Sequence, residues 1–139
     1  MNDTDDIHRI FEDSRTIAVV GASLDPSRPS HYIAEYLQAQ GYRIIPVNPT
    51  CAGQEILGET CVASLRDIAE PVDLVDVFRR TPDVPPVADD AIAIGAKAFW
   101  QQSGIANLDA HERVRAAGMR AVLDRCALVE HRRWRYARR

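Results

Sequence analysis

The sequence predicts a single α/β domain: a Rossmann-like, doubly wound open sheet of about five parallel strands between two layers of helices. Three observations carry this. Short apolar runs rich in valine and isoleucine alternate with segments of helical period, which is the rhythm of βαβ units. The chain has 139 residues, of which 46% are hydrophobic and 27% charged, enough for one continuous core and too few for a second full domain. A Gly/Ser/Pro-rich loop directly follows the first apolar run. The expected strand order is 3-2-1-4-5, with right-handed connections.

The elements follow in order. Asp3, Asp5, Asp6, Glu12 and Asp13 crowd an acidic, helical lead-in over residues 1–15. The first strand is IAVV, Ile17 to Val20, and a helix follows in HYIAEYLQAQG, where Ile33, Ala34 and Leu37 mark one face and Gly41 is the stop. YRIIPVNP is the second strand, and Pro46 within it argues for a strand that ends or lies near an edge. TCAGQEILGETC reads as a connecting loop, and SLRDI as a short helix with Ser64 at its N-cap. Strand three is VDLVDVF. A helix over about Pro86–Ile94, the strand AKAFW, a helix over about Leu108–Ala117 and the strand MRAVLD complete the main domain, residues 16–131. Residues 132–139 form a basic C-terminal tail.

In such a sheet a ligand lies outside the carboxyl ends of the strands, at the point where the strand order reverses. The loops there read GASLDPSRPS, VNPTCAG, FRRTP, QQSGIAN and DRC. Of the dinucleotide fingerprint G-x-G-x-x-G the first loop keeps only Gly21, and Ser23 stands in the place of the second glycine. Backbone N–H groups at the helix start would still meet a phosphate, with the Ser23 hydroxyl as an added donor. Arg28 is close enough in sequence to add charge, Pro29 suits the first helical turn, and Ser30 is the expected N-cap. Gly21 is expected to leave room for a pyrophosphate, so that Gly21→Val abolishes binding and spares the strands. The plain alternative is an ordinary βα turn. The second strand ends in Asn48 where NAD sites place a carboxylate for the ribose hydroxyls, which lowers the case for hydride transfer.

The segments IAVVGAS, PSHYIAEYLQAQGYRIIPVNP, AGQEILGE, SLRDI, PVDLVDVFRR, AIAIGAKAFWQQSGIAN and AGMRAVLDRC, in that order, resemble the stand-alone CoA-binding domain family. That family is similar to the N-terminal CoA-binding domain of the succinyl-CoA synthetase alpha subunit. The resemblance covers nearly the whole chain and implies coenzyme A or an acyl-CoA as the ligand. It implies that Gly21, Ala22, Ser23 and Arg28 surround the phosphates, with Pro29 and Ser30 at the helix start. Val47, Asn48 and Pro49 would border the adenosine. Phe78, Arg79 and Arg80 would follow strand three, the two arginines facing the 3′-phosphate or the pyrophosphate, and Trp100, Gln101 and Gln102 would follow strand four. Thr50 and Cys51, and the stretch QQSGI, depart from the family pattern. In an average protein Phe78 and Trp100 pack in a core or at its rim, and Arg79 and Arg80 are solvated.

The remaining residues narrow the function classes. A net charge of -3 gives no reason to expect nucleic acid, although HRRWRYARR, with Arg132, Arg133, Arg135, Arg138 and Arg139 around Trp134 and Tyr136, is a pattern that RNA or anionic lipid could meet. The alternative is a solvated segment whose rings pack on the domain or on a partner subunit. No run of about 18 apolar residues is present, so no membrane span is expected. The three cysteines, Cys51, Cys61 and Cys126, suit a reducing compartment, and the expected location is cytoplasmic. Cys126 reads as a small buried residue. His8, His31, His111 and His131 show no metal-site spacing. No nucleophile–base pair is recognisable, and the chain is too short to hold the phosphohistidine domain of an acyl-CoA synthetase. The leading expectation is a non-catalytic CoA-binding module: a sensor, carrier or regulator. The alternatives are a minimal NAD(P)-binding oxidoreductase and an interaction module docking through its basic tail. A homo-oligomer or an unidentified protein partner stays open.

Overall fold

A computed structural model describes residues 2–138. The chain runs α1 (Thr4–Asp13), β1 (Thr16–Val20), α2 (Pro29–Ala39), β2 (Arg43–Val47), the two-residue strands β3 (Glu55–Ile56) and β4 (Glu59–Thr60), β5 (Leu74–Val77), α3 (Val84–Ala93), β6 (Ala98–Gln101), α4 (Leu108–Ala116), β7 (Arg120–Val122) and α5 (Ala127–Ala137). The five longer strands form one parallel sheet. Side chains alternate across it as the pleat requires. Ile17, Val19, Leu74 and Trp100 face α1, α2 and α5, while Ala18, Val20, Val75, Val77 and Phe99 face α3 and α4. The expected three-layer, Rossmann-like single domain is therefore present.

Its strand order is β2-β1-β5-β6-β7, which in the count of long strands is 2-1-3-4-5 and corrects the expected 3-2-1-4-5. Two side-chain features account for the difference. Pro46 cannot donate to a ladder, and its carbonyl points to the outer edge of β2, where it accepts from Val62 N at 3.0 Å. That edge receives one parallel bridge, Val47 to Val62, in place of a strand. On the other side of β1, Asp73 Oδ2 accepts from the backbone N–H groups of Arg15 and Thr16, each at 2.9 Å. The chain thus passes over β1 and pairs on its far side.

Local boundaries follow equally local chemistry. Gly41, at φ +104°, ends α2 in the left-handed conformation that a side chain resists. Ser64 caps a single 3-10 turn, Leu65–Asp67, by accepting from Arg66 N. The segment expected as a plain loop contains the β3–β4 hairpin. Ser30 is not the N-cap of α2. Arg28 holds that position without a side-chain cap bond, Pro29 opens the helix, and Ser30 is buried in its first turn.

In the C-terminal segment the boundary differs from expectation, whereas Trp134 packs on the domain as one of the two readings has it. The division at residue 132 falls inside α5, which buries Ala127, His131 and Trp134. Trp134 packs 5.7 Å from Phe11 of α1, so both ends of the chain close one core. Arg138 lies over the Trp134 ring at 4.5 Å, and Tyr136 is 73% exposed. Arg139 lies outside the described residues. Among the described residues no helix is long and apolar enough to cross a membrane, and no group of three or more His, Cys, Asp and Glu side chains is arranged to hold a metal ion.

Candidate functional site

Two adjoining clefts lie at the carboxyl ends of β1, β2, β5 and β6. The first, of about 470 Å³, is lined by Gly21, Ala22, Ser23, Asp25, Arg28, Pro29, Ser30, Asn48, Thr50, Cys51, Phe78 and Arg79. The second, of about 510 Å³, shares Pro29, Phe78 and Arg79 and continues over Tyr32, Ile33, Arg80, Gln102, Ser103, Ile105 and Cys126.

The floor of the first cleft is backbone. The N–H groups of Gly21 and Ala22 both donate to Val47 O, at 2.9 and 3.3 Å, tying the loop after β1 to the end of β2. Gly21 has φ +89°, and a Cβ built on it would stand 2.1 Å from the backbone oxygen of Phe78. Its glycine is therefore a requirement of the fold. The expectation that Gly21→Val spares the strands is corrected here: the added carbon collides with β5's exit and not with a ligand.

The loop then turns on its own polar groups. Ser23 Oγ accepts from Asp25 N at 3.0 Å, leaving its hydroxyl hydrogen as a donor. Asp25 Oδ1 accepts from Ser27 N and Ser27 Oγ, at 2.9 and 2.8 Å, and those bonds hold its carboxyl below the usual range. Arg28 N donates to Asp25 O, and α2 begins at the next residue. In its first turn Pro29 has no N–H and His31 N donates to Arg28 O at 2.9 Å, which leaves the Ser30 N–H without an acceptor among the described residues at the positive end of the helix, where an anion is favoured. Neither the Arg28 nor the Arg79 guanidinium forms an ion pair among the described residues.

Asn48 is committed within the site. Its Nδ2 donates to Ala22 O at 2.9 Å, and its Oδ1 accepts from Thr50 N and Oγ1, at 3.0 and 2.9 Å. The residue thus laces the first two loops together. Cys51, nearly buried, borders the same cleft beside Cys61.

Nine residues expected at the site line the first cleft: Gly21, Ala22, Ser23, Arg28, Pro29, Ser30, Asn48, Phe78 and Arg79. Arg80 and Gln102 line the second, Arg80 being paired with Asp83 at 3.5 Å. Val47 backs the loop through its carbonyl, and Pro49 is exposed beside the cleft without lining it. Two expectations are corrected. Trp100 and Gln101 lie inside β6 and are 0% exposed. Trp100 packs 5.3 Å from Phe11 and donates Nε1–H to Arg125 O, while Gln101 makes a two-way amide contact with the backbone of Asn107. Sequence reasoning did not find Asp25, Tyr32, Ile33, Ser103 or Ile105. Cys126 was expected to be buried and is instead half-buried at the second cleft.

A profile described as CoA binding domain matches residues 15–132. The chain belongs to that CoA-binding domain family. It is 41% identical over 126 residues to an uncharacterized protein of Bacillus subtilis, YneT, covering 91% of this chain and 92% of that one. It is also similar to the solved structure of cell-free ID.343 from Thermus thermophilus, with a TM-score of 0.90, 42% identity and coverage of 95% and 98%. A dinucleotide-forming acetyl-coenzyme A synthetase from Ca. Korarchaeum cryptofilum, solved with phosphate and ADP, matches 87% of this chain over 27% of its own, at 32% identity and a TM-score of 0.69. The similarity thus spans 98% of the Thermus chain and 27% of the synthetase chain.

Proposed function

We propose that this CoA-binding domain holds coenzyme A or a CoA thioester, with the phosphates in the first cleft and the pantetheine arm in the second. The observation that supports this most strongly is the convergence of Arg28, Arg79 and the start of α2 on one cleft, with neither guanidinium in an ion pair among the described residues. Uncommitted arginines at a helix start match phosphate oxygens in charge and geometry. The adjoining cleft, walled by Tyr32, Ile33, Phe78 and Ile105, suits a flexible, mainly apolar arm. Asn48 favours CoA over NAD: its amide is already bonded to Ala22 and Thr50, so no free acid or amide at the end of β2 awaits a ribose.

The chain acts in this reading as a cytoplasmic binding module, a sensor, carrier or regulator. The clefts contain no nucleophile paired with a base, and the reading requires no chemistry of one. Titration calorimetry with CoA, dephospho-CoA and NAD is the test. CoA is expected to bind most tightly, and loss of the 3′-phosphate to weaken it by one to two decades, as removal of a charge-assisted contact does. Equal or tighter binding of NAD would overturn the reading. Incubation with ATP, a carboxylic acid and CoA is expected to give no thioester.

A further inference from the structure

A carboxyl lies beneath the second cleft that phosphate binding does not use. Asp76 is the third residue of β5, in register with Val19 on one side and Trp100 on the other, one residue short of the strand's end. It is 0% exposed. Its Oδ1 accepts from Gln102 Nε2 at 2.5 Å, and its Oδ2 has no partner. A carboxyl with an orphaned oxygen in a core is costly, which calls for a reason to keep it there.

The reason lies in what Asp76 does to Gln102. That side chain is 3% exposed and lines the second cleft. Its backbone N–H donates to Val77 O at 3.4 Å, and its Oε1 accepts from the N–H of Ala127, the first residue of α5, at 3.2 Å. A carboxylate demands a donor and a backbone N–H demands an acceptor, so the amide has one permitted orientation: nitrogen toward β5, oxygen toward α5. A primary amide carries two N–H groups and two acceptor lone pairs. One of each is used below, and one of each is left. The remaining N–H can meet the carbonyl of a secondary amide, or the remaining lone pair its N–H, and the pantetheine arm of CoA contains two such amides.

The geometry points to Asp76 as a positioning residue that orients Gln102 to read an amide of the pantetheine arm in the second cleft. This rests on the CoA reading above and deepens it. Asp76 does not touch the ligand. It removes the flipped amide from the ensemble, and with it the conformational loss that a free glutamine would suffer on binding.

The experiment compares two ligands on the intact protein: CoA, and adenosine 3′-phosphate 5′-diphosphate, which has the same nucleotide and phosphates without the arm. Asp76→Leu, which removes the acceptor, is expected to weaken CoA roughly tenfold and to leave the armless nucleotide unchanged. Asp76→Asn keeps an acceptor oxygen and is expected to stay within about threefold of the parent for both ligands. Equal weakening of both ligands by Asp76→Leu, or no weakening of either, would overturn the proposal. Should Asp76→Leu fail to fold, the parent decides: the side-chain amide proton signals of Gln102 are expected to shift on adding CoA and to stay in place with the armless nucleotide. Identical responses would overturn it. A parent that binds neither ligand would instead bring down the CoA reading, and this inference with it. A parent that binds both, with Asp76 variants that discriminate nothing, brings down this inference alone.

Discussion

The two clefts treat charge in opposite ways. In the first, Arg28, Arg79 and Asp25 stand where water reaches them, and the polar atoms of the loop are satisfied by one another through Ser23, Asp25, Ser27, Asn48 and Thr50. Beneath the second, Asp76 is withdrawn from water and only half satisfied. Solvated charge costs little to keep and is available to an incoming phosphate. Buried charge is held only by specific geometry, and it shifts its protonation to lessen the cost. A site that grips an anion at its mouth and orders an amide at its floor needs both kinds.

The largest effect that would break this comparison is at Gly21. Gly21→Val places a carbon 2.1 Å from Phe78 O and forces a branched residue to φ +89°, two named sources of severe destabilisation. The expected loss exceeds about 4 kcal/mol, seen as failure to give a cooperative thermal transition. A Gly21→Val protein that melts within a few degrees of the parent would show that the β1 loop is not locked against β5.

Next in size is the dependence of stability on pH. Burial pushes the Asp76 carboxyl up to about 7, against the opposing hydrogen bond from Gln102, and no charged group contributes. In the unfolded chain an aspartate titrates near 3.9. The native state therefore binds more protons between these two values, and stability falls as pH rises through that window, by up to about 4 kcal/mol in all. The contribution is fully present below about pH 4 and gone above the native value. Asp76→Asn is expected to flatten this slope in denaturant titrations at pH 4.5, 5.5, 6.5 and 7.5. An unchanged slope would assign it to other groups.

These two residues also mark how far the sequence could be read. The strands were legible because the runs around Ile17–Val20, Ile44–Val47 and, Asp76 apart, Leu74–Val77 are apolar on both faces, as a buried parallel sheet demands. Their order was not, because it turns on Asp73 meeting the N–H groups of Arg15 and Thr16, a contact between residues distant in the chain. Pro46 did carry the signal that β2 lies at an edge, and an edge strand cannot be the middle member of 3-2-1. The first cleft was legible because one loop supplies most of it. Around β6 the strand ends one residue later than expected, and the side chains of Trp100 and Gln101 belong to the core. A small error at a strand's end suffices for that, since adjacent side chains point to opposite faces. Asp76 was hidden by its own neighbours: in VDLVDVF one acid of the two lies outside the sheet and one inside, and spacing alone does not say which finds a glutamine.

Smaller effects would sharpen the contrast. Arg79→Ala and Arg28→Ala are each expected to weaken CoA by one to two decades at low salt, with little change in melting temperature because neither is paired in the fold. The losses should shrink as salt rises, because both guanidiniums lie where ions screen them. Calorimetry at two ionic strengths reads this directly. An Arg79→Ala variant with parental affinity at low salt would move the phosphates away from the cleft mouth.

The smallest expected change comes from Asn48→Asp, which restores the acid that NAD sites carry at the end of the second strand. Here the side chain is already turned toward the β1 loop, where Nδ2 donates to Ala22 O at 2.9 Å. A carboxylate in that place loses the donor and sets an oxygen against a carbonyl, while its other oxygen still accepts from Thr50 N. The variant should therefore lose about 1 kcal/mol of stability. It should gain no more than about twofold in NAD affinity, well under the factor that 1.4 kcal/mol represents, because the new acid is held by the loop and not by a ribose. Paired measurement of the melting temperature and the NAD dissociation constant checks both halves. A tenfold gain for NAD with no loss of stability would mean that Asn48 is free to swing toward the ligand, and that its identity alone separates this cleft from a nicotinamide site.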